Sequence, residues 1–246
     1  MAHLVAGYTT DEIALAAARG LADGGVSYFE VQLPFSDPAA DGPAIQTACS
    51  EVLARSYRVS QGFAFVNELS KEFPSIPVFI MTYANLVWYA GIDTFVRTAA
   101  SAGARGLIVP DLPFDHDEGL SVACEKYGLC SVPVVAPSMA PYRLTLLAKK
   151  HPAFVYAALR SGITGQETEI DKDTLSFITS IGVLGSSVLA GFGIRSGAQV
   201  RLLAPHVHAV VAGSVFVTCI RDACAKGPEA VREAIQKKAL NLTAIK

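Results

Sequence analysis

The chain alternates between short apolar runs and longer amphipathic stretches, a pattern that predicts strands followed by helices. The apolar runs predict eight strands, at residues 4–6, 28–31, 77–81, 106–109, 132–135, 154–157, 187–190 and 208–212. Amphipathic periodicity predicts helices at residues 60–73, 91–102, 115–127, 141–150, 172–180 and 196–204, and a final pair at 215–225 and 228–240. An alanine-rich helix is also predicted to begin after a Thr10 cap and to stop at Gly24-Gly25.

The predicted strands are nearly continuous runs of valine, isoleucine, leucine and alanine, which is typical of a parallel sheet buried on both faces. The 246 residues give about 31 residues to each of eight units, the size of a βα repeat. The sequence therefore predicts an α/β fold, a single (β/α)8 TIM barrel that spans residues 1–246 as one domain. An open, doubly wound sheet is disfavoured because Gly7-Tyr8-Thr9, and no glycine-rich dinucleotide loop, follows the first strand.

Composition narrows the possible functions. Hydrophobic residues make up 51% of the chain and charged residues 17%, which excludes a disordered protein. The formal net charge of −2 offers no electrostatic basis for binding nucleic acid or an anionic membrane. The sequence has no apolar run of membrane-spanning length and no signal-peptide pattern, and its five cysteines lack CxxC spacing. These features predict a cytoplasmic protein with free thiols.

Two carboxylates bracket a stiff loop after the second predicted strand. Glu30 lies in the middle of that apolar strand, where an unpaired charge is costly, so we expect it to have partners or to face a cavity. Asp41 lies at the far end of a loop that contains Pro34 and Pro38 and ends near Pro43. These prolines fix backbone angles, which suits a loop that holds a catalytic carboxylate still. We expect Asp41 to remain ionised because its loop is polar.

Glycine-rich turns follow the seventh and eighth predicted strands, where barrels of this kind usually bind phosphate. Gly191-Phe192-Gly193-Ile194 follows the seventh strand, and Gly213-Ser214 follows the eighth strand and opens a helix. Glycine lets backbone N–H groups approach an anion, and a helix N-terminus offers free donors, so the two turns together predict a phosphate site. The sequence SGITG at residues 161–165, after the sixth strand, is either a simple connection or a mobile lid.

Several of these segments resemble the tryptophan synthase alpha chain family, the lyases that split indole-3-glycerol phosphate. The sequence PFSDPAADGPAIQ at residues 34–46 matches the family signature PFSDPxADGPxIQ nearly letter for letter. GFGI at 191–194, Gly213-Ser214, SGITG at 161–165 and Tyr83-Ala84-Asn85 extend the resemblance to most of the chain, from about residue 3 to residue 240.

The resemblance implies a role for each matching residue. Glu30 matches the carboxylate that gives and takes a proton, and Asp41 matches the carboxylate that pairs with the indole nitrogen. Thr164 matches the lid residue that meets Asp41 on closure. The full set of positions implied to bind substrate or phosphate is Gly193, Gly213, Ser214, Phe192, Tyr156, Thr164, Gly165 and Tyr83.

The residue types suit the implied reaction, a retro-aldol cleavage that yields indole and glyceraldehyde 3-phosphate. The ring must be protonated at C3 and the glycerol hydroxyl must lose its proton, so one carboxylate that exchanges protons and a second that balances ring charge are sufficient. The reaction needs no metal or organic cofactor, and the histidines and cysteines form no ligand-spaced cluster. No lysine lies on a predicted strand, which argues against a Schiff-base mechanism.

The sequence also departs from the family pattern. It begins at strand one, so we expect the family's leading helix to be absent. Gln32 stands where glycine is usual, Ala39 where leucine is common, and Thr9 lies where the family tends to have proline or Asp-Pro. Such changes are compatible with ordinary variation, with altered specificity or partner docking, or with engineering.

The resemblance implies that the chain works as the α-chain of an α2β2 tryptophan synthase complex. Trp88 is predicted to lie on the loop after strand three, on the face that meets the β-chain in this family. Two alternatives are a stand-alone lyase that releases indole and a non-catalytic activator of a β-chain. The presence of both Glu30 and Asp41 argues against the activator, which needs neither carboxylate.

Overall fold

A computed structural model describes residues 1–159, 170–182 and 185–244. The strands within these ranges form an inner layer, and all of their pairings are parallel. The strands are β1 Ala2–Val5, β2 Phe29–Gln32, β3 Val78–Met81, β4 Ala104–Ile108, β5 Cys130–Val132, β6 Val134–Val135, β7 Phe154–Ala158, β8 Ser187–Gly191 and β9 Ala209–Val210.

The strands follow one another around a barrel in sequence order. β1 to β5 form one sheet and β6 to β9 form a second. Ala2 bridges Ala212, the N–H of His3 donates to the Ala212 carbonyl at 2.9 Å, and the N–H of Ala212 donates to the Met1 carbonyl at 3.1 Å. These contacts join the last strand to the first, and the predicted (β/α)8 barrel is confirmed.

Proline explains why the predicted fifth strand at residues 132–135 is observed as two segments, β5 and β6. Pro133 lies between them and has no N–H to donate to a neighbouring strand. Its carbonyl still accepts a hydrogen bond from the N–H of Tyr156 at 2.8 Å. The two segments therefore occupy the place of one barrel strand.

Helices cover the outside of the barrel. The alanine-rich helix is confirmed as α1, with Thr10 Oγ1 accepting from the N–H of Ile13 at 3.2 Å. The described helices are α1 Asp11–Asp23, α2 Pro43–Leu53, α3 Val59–Glu72, α4 Ala84–Ala90, α5 Ile92–Ser101, α6 Leu120–Lys126, α7 Pro141–Lys150, α8 Lys172–Gly182, α9 Gly197–Leu203, α10 Ser214–Ala223 and α11 Pro228–Thr243, with 3-10 turns at Ala204–His206 and Cys224–Lys226.

Three helices differ from the sequence predictions, and one of them, α6, begins at Leu120 and not at residue 115. The predicted stiff loop ends at Gly42, and α2 begins at Pro43, because proline is tolerated in the first turn of a helix, where its missing N–H needs no partner. The placement of Trp88 on a loop was wrong, since Trp88 lies in α4. Asp111 stabilises the start of α4, because its Oδ1 accepts from the N–H of Ala84 at 2.9 Å.

Two apolar layers hold the barrel together. The inner layer fills the barrel with side chains from alternating positions of the strands, among them Phe79, Met81, Ile108, Leu189 and Val211. The outer layer lies between the strands and the helices and includes most of the buried aliphatic side chains. The inner layer leaves a polar gap at the ends of β1 and β2, where the charged residues described below lie.

In the ranges that the structure describes, no helix is both long enough and apolar enough to cross a membrane. The cytoplasmic location stays a prediction.

Candidate active site

A cavity opens at the carboxyl ends of the strands, the end at which barrels of this type carry their chemistry. It contains about 550 Å³ of empty space, including the open solvent at its mouth. The two predicted carboxylates, Glu30 and Asp41, both line it. The predicted binding residues that also line it are Tyr156, Phe192, Gly193, Gly213 and Ser214.

Glu30 has a charged partner that the sequence did not reveal. His3 on β1 lies in register with Glu30 on β2, and its Nδ1 lies 2.8 Å from Glu30 Oε1. Both residues are buried, with exposures of 3% and 4%. Burial works to lower the pKa of His3, but the hydrogen bond and negative charge of Glu30, with the charge of Asp41, outweigh it and raise the pKa. This shift favours the protonated form of the His3 imidazole beside Glu30.

Asp41 is fixed by two donors. Tyr83 donates its hydroxyl proton to Asp41 Oδ2 at 2.7 Å, and Gln32 donates from Nε2 to the same oxygen at 2.8 Å. Its surroundings are polar, as expected, but Asp41 is also buried, with 4% exposure, and its ionised state stays a prediction. Burial raises the pKa of Asp41, while the charge of His3 and the bonds from Tyr83 and Gln32 oppose that rise.

Tyr83 lies behind Asp41 and is itself fully enclosed. Its ring stacks on Phe35 with centroids 5.2 Å apart, and its hydroxyl oxygen accepts from the N–H of Ala40 at 3.1 Å. Burial and the charge of Asp41 raise the pKa of Tyr83, which keeps the phenol a proton donor. This geometry favours a role in orienting Asp41, and the predicted contact of Tyr83 with substrate stays a prediction.

Gln32, one of the two donors to Asp41, is a departure from the family pattern. It is the residue that stands where the family usually has glycine, and it lies in β2 two positions after Glu30. Its side chain is fully buried, and besides Asp41 it contacts Cys49 Sγ at 3.5 Å. The departure from the family pattern therefore adds a hydrogen bond to the loop carboxylate.

Another part of the cavity wall is built from backbone. α10 begins at Ser214, so the N–H groups of its first turn lie beside Gly213 at the cavity wall. In the turn after β8, Phe192 and Gly193 both have positive φ, 78° and 85°, and Gln199 Nε2 donates to the Gly193 carbonyl at 3.2 Å. Glycine suits such a conformation, and the bond from Gln199 holds the turn in place.

Aromatic rings form a further part of the cavity wall. Tyr156 on β7 meets Phe192 edge to face, with ring centroids 5.7 Å apart. A side chain at Gly191 would overlap the Tyr156 hydroxyl, so glycine is required there. Burial raises the pKa of Tyr156 well above its ordinary value, and its ring therefore offers a neutral apolar wall.

Two predicted residues, Thr164 and Gly165, and the rest of the SGITG segment lie outside the described residues. Among the parts of the chain that are described, no three histidine, cysteine, aspartate or glutamate side chains are placed to hold a metal ion together.

A (β/α)8 barrel that brings two buried carboxylates and two glycine turns to one cavity at its strand ends has the architecture of a barrel enzyme. The sequence profile of the family described as tryptophan synthase alpha chain matches residues 1–245. The chain belongs to the tryptophan synthase alpha chain family, whose members are lyases.

Individual relatives agree with this assignment. The chain is 40% identical to the tryptophan synthase alpha chain of Helicobacter hepaticus over 228 residues, which cover 90% of this chain and 85% of that protein. It is 36% identical to that of Desulfotalea psychrophila over 232 residues, covering 94% and 90%.

Solved structures show the same likeness. Mycobacterium tuberculosis tryptophan synthase aligns with a TM-score of 0.85 and 32% identity over 98% of this chain and 91% of that one. The tryptophan synthase complex of Pyrococcus furiosus aligns with a TM-score of 0.86 and 29% identity, covering 98% and 96%.

Proposed function

We propose that this chain cleaves indole-3-glycerol phosphate into indole and glyceraldehyde 3-phosphate. The observation that carries the proposal is the joint lining of one cavity by two buried carboxylates, Glu30 and Asp41, and by the Gly193 and Gly213-Ser214 turns. The carboxylates provide acid/base and charge-balancing groups, and the turns offer backbone donors for a phosphate.

In the proposed mechanism, the phosphate anchors the substrate at the Gly213-Ser214 turn and the indole ring lies between Glu30 and Asp41. Glu30 delivers a proton to ring C3. Asp41 accepts a hydrogen bond from the indole N–H and balances the positive charge that develops on the ring. Glu30 then removes the proton of the glycerol hydroxyl. The electrons of that O–H bond form the aldehyde carbonyl, and those of the broken C–C bond return to the ring, which leaves as indole.

The function is tested by measuring indole release from indole-3-glycerol phosphate by the purified chain, alone and with a tryptophan synthase β-chain. We expect indole and glyceraldehyde 3-phosphate in equal amounts, with inorganic phosphate competing against substrate. Rapid release without the β-chain would favour the stand-alone lyase. No release under either condition would overturn the proposed activity.

The Gly213→Asp variant tests the Gly213 turn as the phosphate site. The new carboxylate would lie where the phosphate binds, and its Cβ would already lie 3.3 Å from the Cβ of His3, so we expect KM to rise by at least about tenfold. Gly182→Asp is a matched control, since no atom lies within 4 Å of the added Cβ. An unchanged KM in Gly213→Asp would show that the phosphate does not bind at the Gly213 turn.

We also propose that the active-site face binds a β-chain. Two aromatic side chains of α4 are exposed there, Trp88 at 47% and Tyr89 at 95%. Exposed aromatic residues are enriched at the cores of protein interfaces. The solved relatives include a tryptophan synthase complex, which supports a partner of this kind.

The Trp88→Asp variant is expected to weaken β-chain binding by at least about tenfold, because it places a charge in an apolar contact. Isothermal titration of the chain with a β-chain measures this. The control is Leu202→Asp on α9, which changes a residue of similar exposure, 54%, on a different helix of the barrel. Equal binding by both variants would place the interface elsewhere.

A further inference from the structure

His3 and Glu30 have the geometry of a coupled pair. Their contact joins adjacent strands at 2.8 Å, and both side chains line the cavity. Each keeps a second polar atom, His3 Nε2 and Glu30 Oε2, that is buried without a hydrogen-bond partner among the described residues. A buried polar atom without a partner is costly, so such atoms are expected where a ligand or a proton supplies the missing bond.

We infer that His3 is a positioning residue for proton transfer, sharing one proton with Glu30 so that the acid/base unit is the His3–Glu30 pair. This inference rests on the proposed function and adds a residue to the same site. His3 acts through Glu30, because its Nδ1 lies 2.8 Å from the carboxylate.

A purely structural role explains His3 less well. Other side chains inside the barrel, such as Phe79 and Leu189, are fully buried and apolar, so a packing residue at this inward-facing position needs no ring nitrogens. Burying an ion pair costs desolvation free energy that aliphatic residues avoid. A charged pair that faces a cavity is therefore expected to serve the chemistry of that cavity.

The surroundings of His3 favour the protonated imidazole. Glu30 of β2 and Asp41 of the following loop contribute negative charge, and their effect exceeds that of burial, so the pKa of His3 is raised. Tyr156 of β7 is neutral, since burial raises its pKa. The α-amino group of Met1 lies near Glu30, but burial lowers its pKa to about 6, which leaves it largely uncharged above neutral pH.

The shared proton accounts for both halves of the reaction. The proton starts on His3 Nδ1 and moves to the Glu30 carboxylate, and the resulting carboxyl gives it to ring C3. His3 is then neutral and Glu30 is ionised. Glu30 takes the hydroxyl proton as the C–C bond breaks, and the proton returns to His3. One proton has moved from the hydroxyl to C3, and the pair has returned to its starting state.

The inference predicts a pH dependence. The active form is the pair that carries one proton, and activity is lost at high pH when that proton leaves. Because Glu30 and Asp41 raise the pKa of His3, activity should persist above the pH at which an ordinary histidine loses its proton. In His3→Asn, an amide can donate to Glu30 but cannot hold a proton, so the carboxyl must hold it alone. Carboxyl groups ordinarily lose their proton at lower pH than imidazolium ions.

The test measures single-turnover indole release between pH 5.5 and 9.5 for the parent chain, His3→Asn and His3→Phe. We expect the alkaline limb to move to lower pH by at least about one unit in both variants, with the rate at pH 8 reduced about tenfold or more and substrate Kd nearly unchanged. A lower rate with the alkaline limb in its original place would show that His3 only orients Glu30, and would overturn proton sharing.

A second measurement does not depend on activity or on the folding of His3 variants. The imidazole of His3 is titrated by NMR in the parent chain and in Glu30→Gln. We expect His3 to titrate above its ordinary range in the parent and at least about one unit lower in Glu30→Gln. Equal titration in both would overturn the pair. If the parent releases no indole, the proposed reaction fails while this titration still decides whether His3 and Glu30 share a proton.

Discussion

Replacing Glu30 with glutamine is expected to slow indole release by at least about two orders of magnitude, the usual contribution of a positioned acid/base group. Glutamine keeps the size of the side chain and can accept a hydrogen bond from His3, but it cannot carry a proton between the hydroxyl and C3. Substrate Kd is expected to change little, because the proposed phosphate donors are backbone groups of the Gly193 and Gly213 turns, which the substitution leaves in place.

Single-turnover rate and substrate Kd, measured on the same preparation, separate the two effects. Glu125→Gln is a matched control, since Glu125 is exposed on α6 and away from the cavity lining. If Glu30→Gln released indole at nearly the parent rate, Glu30 would not be the acid/base.

The Asp41→Asn variant is expected to lose about two to three orders of magnitude in indole release. Tyr83 and Gln32 both donate to Oδ2 of Asp41, so asparagine would turn its oxygen toward them. Its amide NH2 would then face the indole N–H, which is also a donor. A neutral amide in this orientation cannot balance the charge that develops on the ring.

The pH profile of the parent chain adds a second measurement on Asp41. Burial raises the pKa of Asp41, so the carboxylate is protonated at a higher pH than an ordinary aspartate, and activity should fall on acidification from that higher pH. Asp93→Asn, on the exposed surface of α5, should leave rate and profile unchanged. Nearly full activity in Asp41→Asn would assign charge balance to another group.

The strand pattern of the barrel could be predicted from the sequence because buried parallel strands are mainly apolar. β7 and β8 were predicted to within a residue at each end. α2 was not predicted, because the prolines before it are typical of a loop. Its apolar residues nevertheless form a helical stripe, which consists of Ile45, Ala48, Cys49 and Val52. α4 is too short, at seven residues, to show a clear period.

The site was predictable only in part. Glu30 and Asp41 stand in a distinctive segment, and the structure brings both to the cavity. The partnership with His3 was not visible, because it joins residues 27 positions apart and depends on the register of β1 against β2. The burial of Asp41 was also missed, because Tyr83, which encloses it, comes from another strand end.

The few hydrogen bonds that join the first and last strands of the barrel also hold residues of the cavity in place. The backbone N–H of His3 forms one of the closing hydrogen bonds, to Ala212, and Gly213 follows directly. If these hydrogen bonds opened transiently, the His3 imidazole and the Gly213 turn would move away from the cavity together. The five-residue pairing of β7 with β8 would stay intact. A phosphate-bearing ligand that binds the Gly213 turn would oppose this opening. Saturation with substrate should therefore also stabilise the closed barrel.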